Sequence, residues 1–183
     1  MGADIHLFIE YKKGDQPWET DKNHILQTED DYERLESCAA SHRNYEVFAA
    51  LAGVRGEGPD PLGLPDDVTD KVKAESDRWE DDGHSHNYNS LEEFTQIIRD
   101  LYNSPEYRSF GSTGFKDDAI PKAFYGSNAF DSNEYREMNY ETLIAYCKEQ
   151  VTRFKLELEA EAMLLDQPIN TQVQCRLVYW FDN

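Results

Sequence analysis

Asp4-Ile5-His6 sets a carboxylate and an imidazole two positions apart in an alternating segment. On a β-strand both project from one face, as two ligands of a single metal ion require. His84-Ser85-His86 offers two more imidazoles, read as sharing one side of an extended loop. Together Asp4, His6, His84 and His86 form a candidate metal-binding set. Imidazole donors suit zinc, manganese, iron or nickel better than calcium. Glu10 or Asp82 would then orient a histidine from behind, or act as general base toward metal-bound water. The plainer reading of each pair is a half-buried strand and a solvated turn that carry histidine by chance. His24 and His42 read as surface or capping residues.

In so acidic a chain the arginines stand out. Arg55 abuts a stretch from Gly56 to Pro65 rich in glycine and proline, and Arg43 precedes a helix start. A guanidinium beside a glycine-rich loop holds phosphate through paired hydrogen bonds; the alternative is a salt bridge to one of the many carboxylates. Tyr45, Trp79, Tyr88 and Trp180 offer faces on which a base could stack, or else belong to the core. With Asn44 and Asp182 these residues complete the candidate ligand-binding set. No Gly-x-Ser-x-Gly, phosphate-loop or dinucleotide fingerprint occurs, so serine hydrolase, NTPase and Rossmann readings lack support.

The elements that must position these groups are legible in periodicity. Asp4 to Tyr11 alternates, with Ile5, Leu7, Ile9 and Tyr11 on one side and Asp4, His6, Phe8 and Glu10 on the other. Val173 to Asp182 alternates likewise, and antiparallel pairing of the two would bring Asp4 and His6 near Trp180 and Asp182. A short strand is expected around Trp18, after the turn at Gly14. Asn44 predicts a helix cap, with Gly53 and Gly56 at the far end. Asp66 or Asp67 is read as the cap of a helix reaching Trp79, and Ser90 with Glu93 as a capping box. Residues 103 to 132 read as irregular, a lid or an insertion. Tyr140 to Leu165 is the longest helical pattern, stopped by Pro168.

The fold class expected is α+β, a small sheet with paired N- and C-terminal strands, helices over one face and long irregular loops. A chain of 183 residues fits one domain, since halves would lack apolar material for separate cores. Only 39% of residues are apolar, but 13% are aromatic, and each buried ring removes a large area from water. Acidic residues outnumber basic ones 37 to 18, and the charge of −19 opposes nucleic-acid backbones. The start lacks a signal-peptide pattern and no apolar run spans a membrane, so the expected setting is cytoplasmic. Cys38, Cys147 and Cys175 lack metal or disulfide spacing and read as buried thiols.

Two resemblances bear on function. Asp4-Ile5-His6 followed by Gly83-His84-Ser85-His86 resembles the first and last motifs of calcineurin-like metallophosphoesterases. The family's intervening G-D-x-x-D and G-N-H-[DE] motifs are absent, so the resemblance implies a chemistry and not that fold. More of the chain is similar to a family of uncharacterised phage and prophage proteins, through Met1-Gly2-Ala3-Asp4-Ile5-His6-Leu7-Phe8, Arg43-Asn44-Tyr45, Phe48 to Gly56, Gly63 to Val68, Asp82-Gly83-His84-Ser85-His86 and Val178-Tyr179-Trp180-Phe181-Asp182-Asn183. That resemblance implies a viral setting, an infected or lysogenic bacterial cell, in which small accessory proteins often counter host defence by binding or cleaving nucleotide signals. Three readings stay open: a metal-dependent phosphoesterase, a non-catalytic sponge for a nucleotide-like molecule, and an acidic or DNA-mimicking protein that blocks a basic host partner. Homo-oligomers are compatible with all three.

Overall fold

A computed structural model of the chain describes residues 2–22, 25–27, 33–35, 37–38, 43–109, 114–119 and 139–182. In chain order the strands are β1 (Asp4–Lys13), β2 (Trp18–Thr20), β3 (Ile25–Gln27), β4 (Glu33–Leu35), β5 (His84–Ser90) and β6 (Val173–Asp182). The helices are α1 (Tyr45–Ala52), α2 (Asp70–Asp77), α3 (Leu91–Asn103), α4 (Pro105–Ser109) and α5 (Tyr140–Leu165). A four-stranded antiparallel sheet runs in the order β2-β1-β6-β5, and β3 and β4 form a separate ribbon. This is the expected α+β class.

The terminal strands pair along their whole length, from Asp4 opposite Asp182 to Lys13 opposite Val173. Alternation then dictates two faces. Ile5, Leu7, Ile9 and Tyr11 join Leu177, Tyr179 and Phe181 beneath α1, α3 and α5, where Phe48, Leu51, Phe94, Ile98, Leu143 and Ile144 fill the main core. The other face is less open than its polar residues predict. Phe8, Val178 and Trp180 form a second buried cluster under Val72 of α2 and Leu35 of β4, with Leu64, Val68, Trp79 and Tyr88 packed around it.

Helix boundaries follow local chemistry. Asn44 accepts a hydrogen bond from the Val47 amide and Gly53 closes α1 with a left-handed φ of 66°, which glycine adopts without a Cβ clash. Ser90 and Glu93 form the reciprocal capping box of α3. Helix α5 ends at Asp166, itself left-handed, before Pro168 is reached. The cap of α2 is Thr69, not Asp66 or Asp67. Asp67 is diverted to Arg176 and Trp18, which offer a carboxylate stronger partners than an amide does.

The segment at His84 reads in sequence as a loop and is in the structure the edge strand β5, paired with β6 across a bulge between His84 and Asn87. Of residues 103–132, Asn103 ends α3, α4 follows at once, and 114–119 form a turn; 110–113 and 120–132, on which the lid reading rests, lie outside the described residues, as do His24 and His42. All three cysteines are buried and outside any disulfide. Among the described residues no helix is long and apolar enough to cross a membrane.

Candidate functional site

Pairing of β1 with β6 gathers several of the singled-out residues at one end of the sheet. The Asp4 amide donates to Asp182 Oδ1 at 2.9 Å, and the Arg43 guanidinium grips the Asp4 carboxylate with two bonds of 2.8 Å. That grip holds the Asp4 carboxyl below the usual carboxylate range and raises the guanidinium further. Gly2 makes the grip possible, because a Cβ there would collide with the guanidinium. His6 Nε2 lies 3.3 Å from Asp182 Oδ2, yet the atom is buried and makes no well-aligned hydrogen bond. Burial pushes the His6 pKa down, against the pull of Asp182, Glu75 and Asp4.

Three rings cross the sheet in a row, one per strand. His6 on β1 stacks on Trp180 of β6 at 5.8 Å, and His86 of β5 stacks on the same indole at 5.6 Å. Trp79, half-buried, lies against His6 with ring centroids 4.1 Å apart. Trp180 is fully buried and its Nε1 has no hydrogen-bond partner. His86 Nε2 meets Ser76 Oγ at 2.8 Å, and burial, then the charge of His84, lowers its pKa. Gly83 sits at the junction: a Cβ there would stand 3.0 Å from Trp79 Cβ, 3.5 Å from Trp180 Cδ1 and 3.7 Å from His86 Cε1. Arg78, paired with Glu75 at 2.9 Å, supplies a second guanidinium on this side.

His84 does not join the row. Ser85 has a φ of 53°, and the bulge places His84 opposite Phe181, on the face beneath α1, α3 and α5, while His86 points the other way to Trp180. The expectation that both imidazoles share a side is therefore wrong. His84 Nδ1 is taken up by Ser85 Oγ at 3.0 Å. Asp4 is held by Arg43, His6 is set against Asp182 and Trp79, and His86 is bonded to Ser76. Among the described residues no three His, Cys, Asp or Glu side chains are placed to hold a metal ion, so the Asp4, His6, His84, His86 set does not fit one.

The other candidates separate by location. Glu10 lies about 13 Å along the strand from His6. It is fully buried, bonded to Arg176 Nε at 2.6 Å and to the Thr69 amide at 2.8 Å, so it is a structural carboxylate and not a base for the histidine site. Asp82 stands exposed on the turn before β5. Asn44 is spent on its cap and on the Tyr107 hydroxyl, Tyr45 lies exposed beside Phe48, and Tyr88 packs into the second cluster. Arg55 is exposed on the loop after α1, with a φ of 61°. That loop is no open phosphate cradle: a Cβ on Gly58 would run into the Ala49 carbonyl, and Asn87 clamps the loop through the Leu51 carbonyl and the Leu62 amide.

Residue types alone left Arg78, Glu75 and Ser76 unnoticed. Their signal was the i, i+3 spacing of Glu75 and Arg78 on a helix that precedes the His84 segment. The assembled end of the sheet holds two neutral imidazoles, an indole N–H and two guanidiniums within an acidic rim. Such a set can donate hydrogen bonds to an anionic or carbonyl oxygen and offer aromatic surface to a flat ring. No protein-family model, curated protein or solved structure matches the chain.

Proposed function

We propose that the protein binds and retains a nucleotide-like, phosphate-containing small molecule at the His6, Trp79, Trp180 and His86 end of the sheet, without metal-assisted hydrolysis. The observation that carries this reading is a pair of buried nitrogen atoms, His6 Nε2 and Trp180 Nε1, without a properly formed hydrogen bond in an aromatic cluster drawn from separate segments. Leaving the Trp180 N–H unpaired costs about 1–3 kcal/mol, a cost that a ligand oxygen relieves, while His6, 3.3 Å from the Asp182 carboxylate, is held only loosely. Trp79, which packs on His6 and on the cluster around Trp180, would swing aside to admit a ligand, and its indole then offers a face for a base. Arg43 and Arg78 would exchange their carboxylate partners for phosphate. Retention of an intact nucleotide signal is the counter-defence role that the phage-like sequence segments suggest.

The test is calorimetric titration with linear and cyclic nucleotides, followed by chromatography of the ligand. The expected result is saturable binding with the nucleotide recovered unchanged, weakened about tenfold by Trp79→Ala or His6→Ala, the equivalent of losing about 1.4 kcal/mol. Product formation would restore the phosphoesterase reading. Absence of binding across the panel would sink the ligand reading altogether.

A further inference from the structure

We infer that the outer half of α5 is a docking ridge for a basic amphipathic helix of another protein, an inference independent of the ligand site. Helix α5 is 26 residues long, but its fully buried positions all lie between Tyr140 and Gln150. Beyond them Phe154 and Leu158 still turn toward the body of the protein, half-buried. The opposite side carries Leu156, Met163 and Leu164, which are 61%, 82% and 87% exposed. Positions seven and eight apart on a helix share a face, so these three side chains and Ala160 make one apolar stripe pointing away from the core. Side chains of this size are rarely left so open along a single face unless something covers them.

Charge decides what covers them. Glu157 and Glu161 line one flank and Glu159 the other. Arg153 and Lys155 answer only Glu157 and Glu159, through loose pairs of 3.7 and 3.9 Å, leaving Glu161 and Asp166 in excess. A second copy would set acidic flank against acidic flank between chains that each carry −19. A helix with leucines on one face and lysines along its edges matches both the stripe and its rim.

The experiment uses the full chain and a fluorescent synthetic helix of leucine and lysine in amphipathic order, with a leucine and glutamate helix as control. Anisotropy should show saturable binding of the basic peptide and none of the acidic one. The Leu156→Gln/Met163→Gln/Leu164→Gln variant alters only exposed positions and should keep the wild-type unfolding midpoint while weakening binding about tenfold or more. Glu157→Gln/Glu159→Gln/Glu161→Gln should weaken binding chiefly at low salt. Equal binding by the apolar-stripe variant, or no saturable binding by the wild type, overturns the inference. So does sedimentation showing a wild-type dimer that the same variant dissolves, since the occupant would then be a second copy.

Discussion

His84 and His86 stand on opposite faces of β5, one beside Phe181 and the other stacked on Trp180. The bulge that separates them also separates two explanations of the histidines. Were they ligands of one ion, zinc, manganese or nickel would stabilise the fold by linkage. The observed arrangement predicts that no such ion acts through these histidines, so any effect of zinc, manganese, nickel or a chelator on the unfolding midpoint should be the same in His6→Ala and His84→Ala as in the wild type. Thermal unfolding of the three proteins checks this, and a metal-dependent rise abolished by either substitution would contradict it.

The two arginine pairs should differ sharply in weight. Arg176 is clasped by Glu10 and Asp67 and lies 3.9 Å from the Trp18 ring, with side-chain exposures of 7% for Arg176 and 0% for Glu10. Arg176→Ala strands a buried carboxylate and should destabilise the fold by about 3–5 kcal/mol in urea unfolding. Glu10→Leu with Arg176→Met should recover part of that loss, because no buried charge is then left unpaired and Asp67, which loses the same partner, is exposed. Arg43→Ala removes an exposed pair and should leave the denaturation midpoint almost unchanged.

Acid should act on the histidine row before it acts on the carboxylates. Burial favours the neutral forms of His6 and His86, so both titrate below their unfolded value of about 6.5. The unfolded chain therefore binds more protons in that range, and their contribution, complete above about pH 6.5, is lost as pH falls through the folded values. Asp4 and Asp67 are lowered by Arg43 and Arg176, and their contributions are complete above about pH 4 and disappear only in stronger acid. Stability measured by denaturant titration should decline between pH 6.5 and 5, values bracketing the histidine range. The His6→Gln/His86→Gln variant should flatten that decline; an unchanged slope would place its source elsewhere.

Gly58 offers a test of the loop after α1. Gly58→Ala sets a methyl group against the Ala49 carbonyl and should cost about 1–3 kcal/mol by overpacking. If the loop were instead an open phosphate cradle, the substitution would spare stability and reduce nucleotide affinity. Thermal unfolding and calorimetry of the one variant decide between them.

Much of this was legible in the chain because strong local rules agreed with the tertiary structure. The two alternating termini predict both their pairing and the neighbourhood of Asp4, His6, Trp180 and Asp182, all of which the register places together. Counting inward equally from Asp4 and Asp182 arrives at Glu10 and Arg176, so the pairing of the strands also implies their ion pair, although Glu10 taken alone reads as a base. What escaped lacks a local signature. His84 to Asn89 is too polar to alternate, and its strand character comes from pairing with β6. A left-handed Ser85 has no sequence rule behind it, yet it decides where each imidazole points. Thr69 caps α2 in place of two aspartates because Asp67 is claimed by Arg176, a residue distant in sequence. Tertiary partners overrode the local preference.

Strand β6 lies between β1 and β5 but is synthesised after both. As the chain leaves the ribosome, Ile5, Leu7 and Ile9 emerge early and must wait, without their ten-residue partner, until more than a hundred and fifty further residues have followed. Sheet closure is therefore a late event joining the most distant segments, which makes folding slow and exposes a ready strand edge to other nascent chains meanwhile. The surplus of carboxylates acts during that interval, since like-charged chains repel one another before their edges meet.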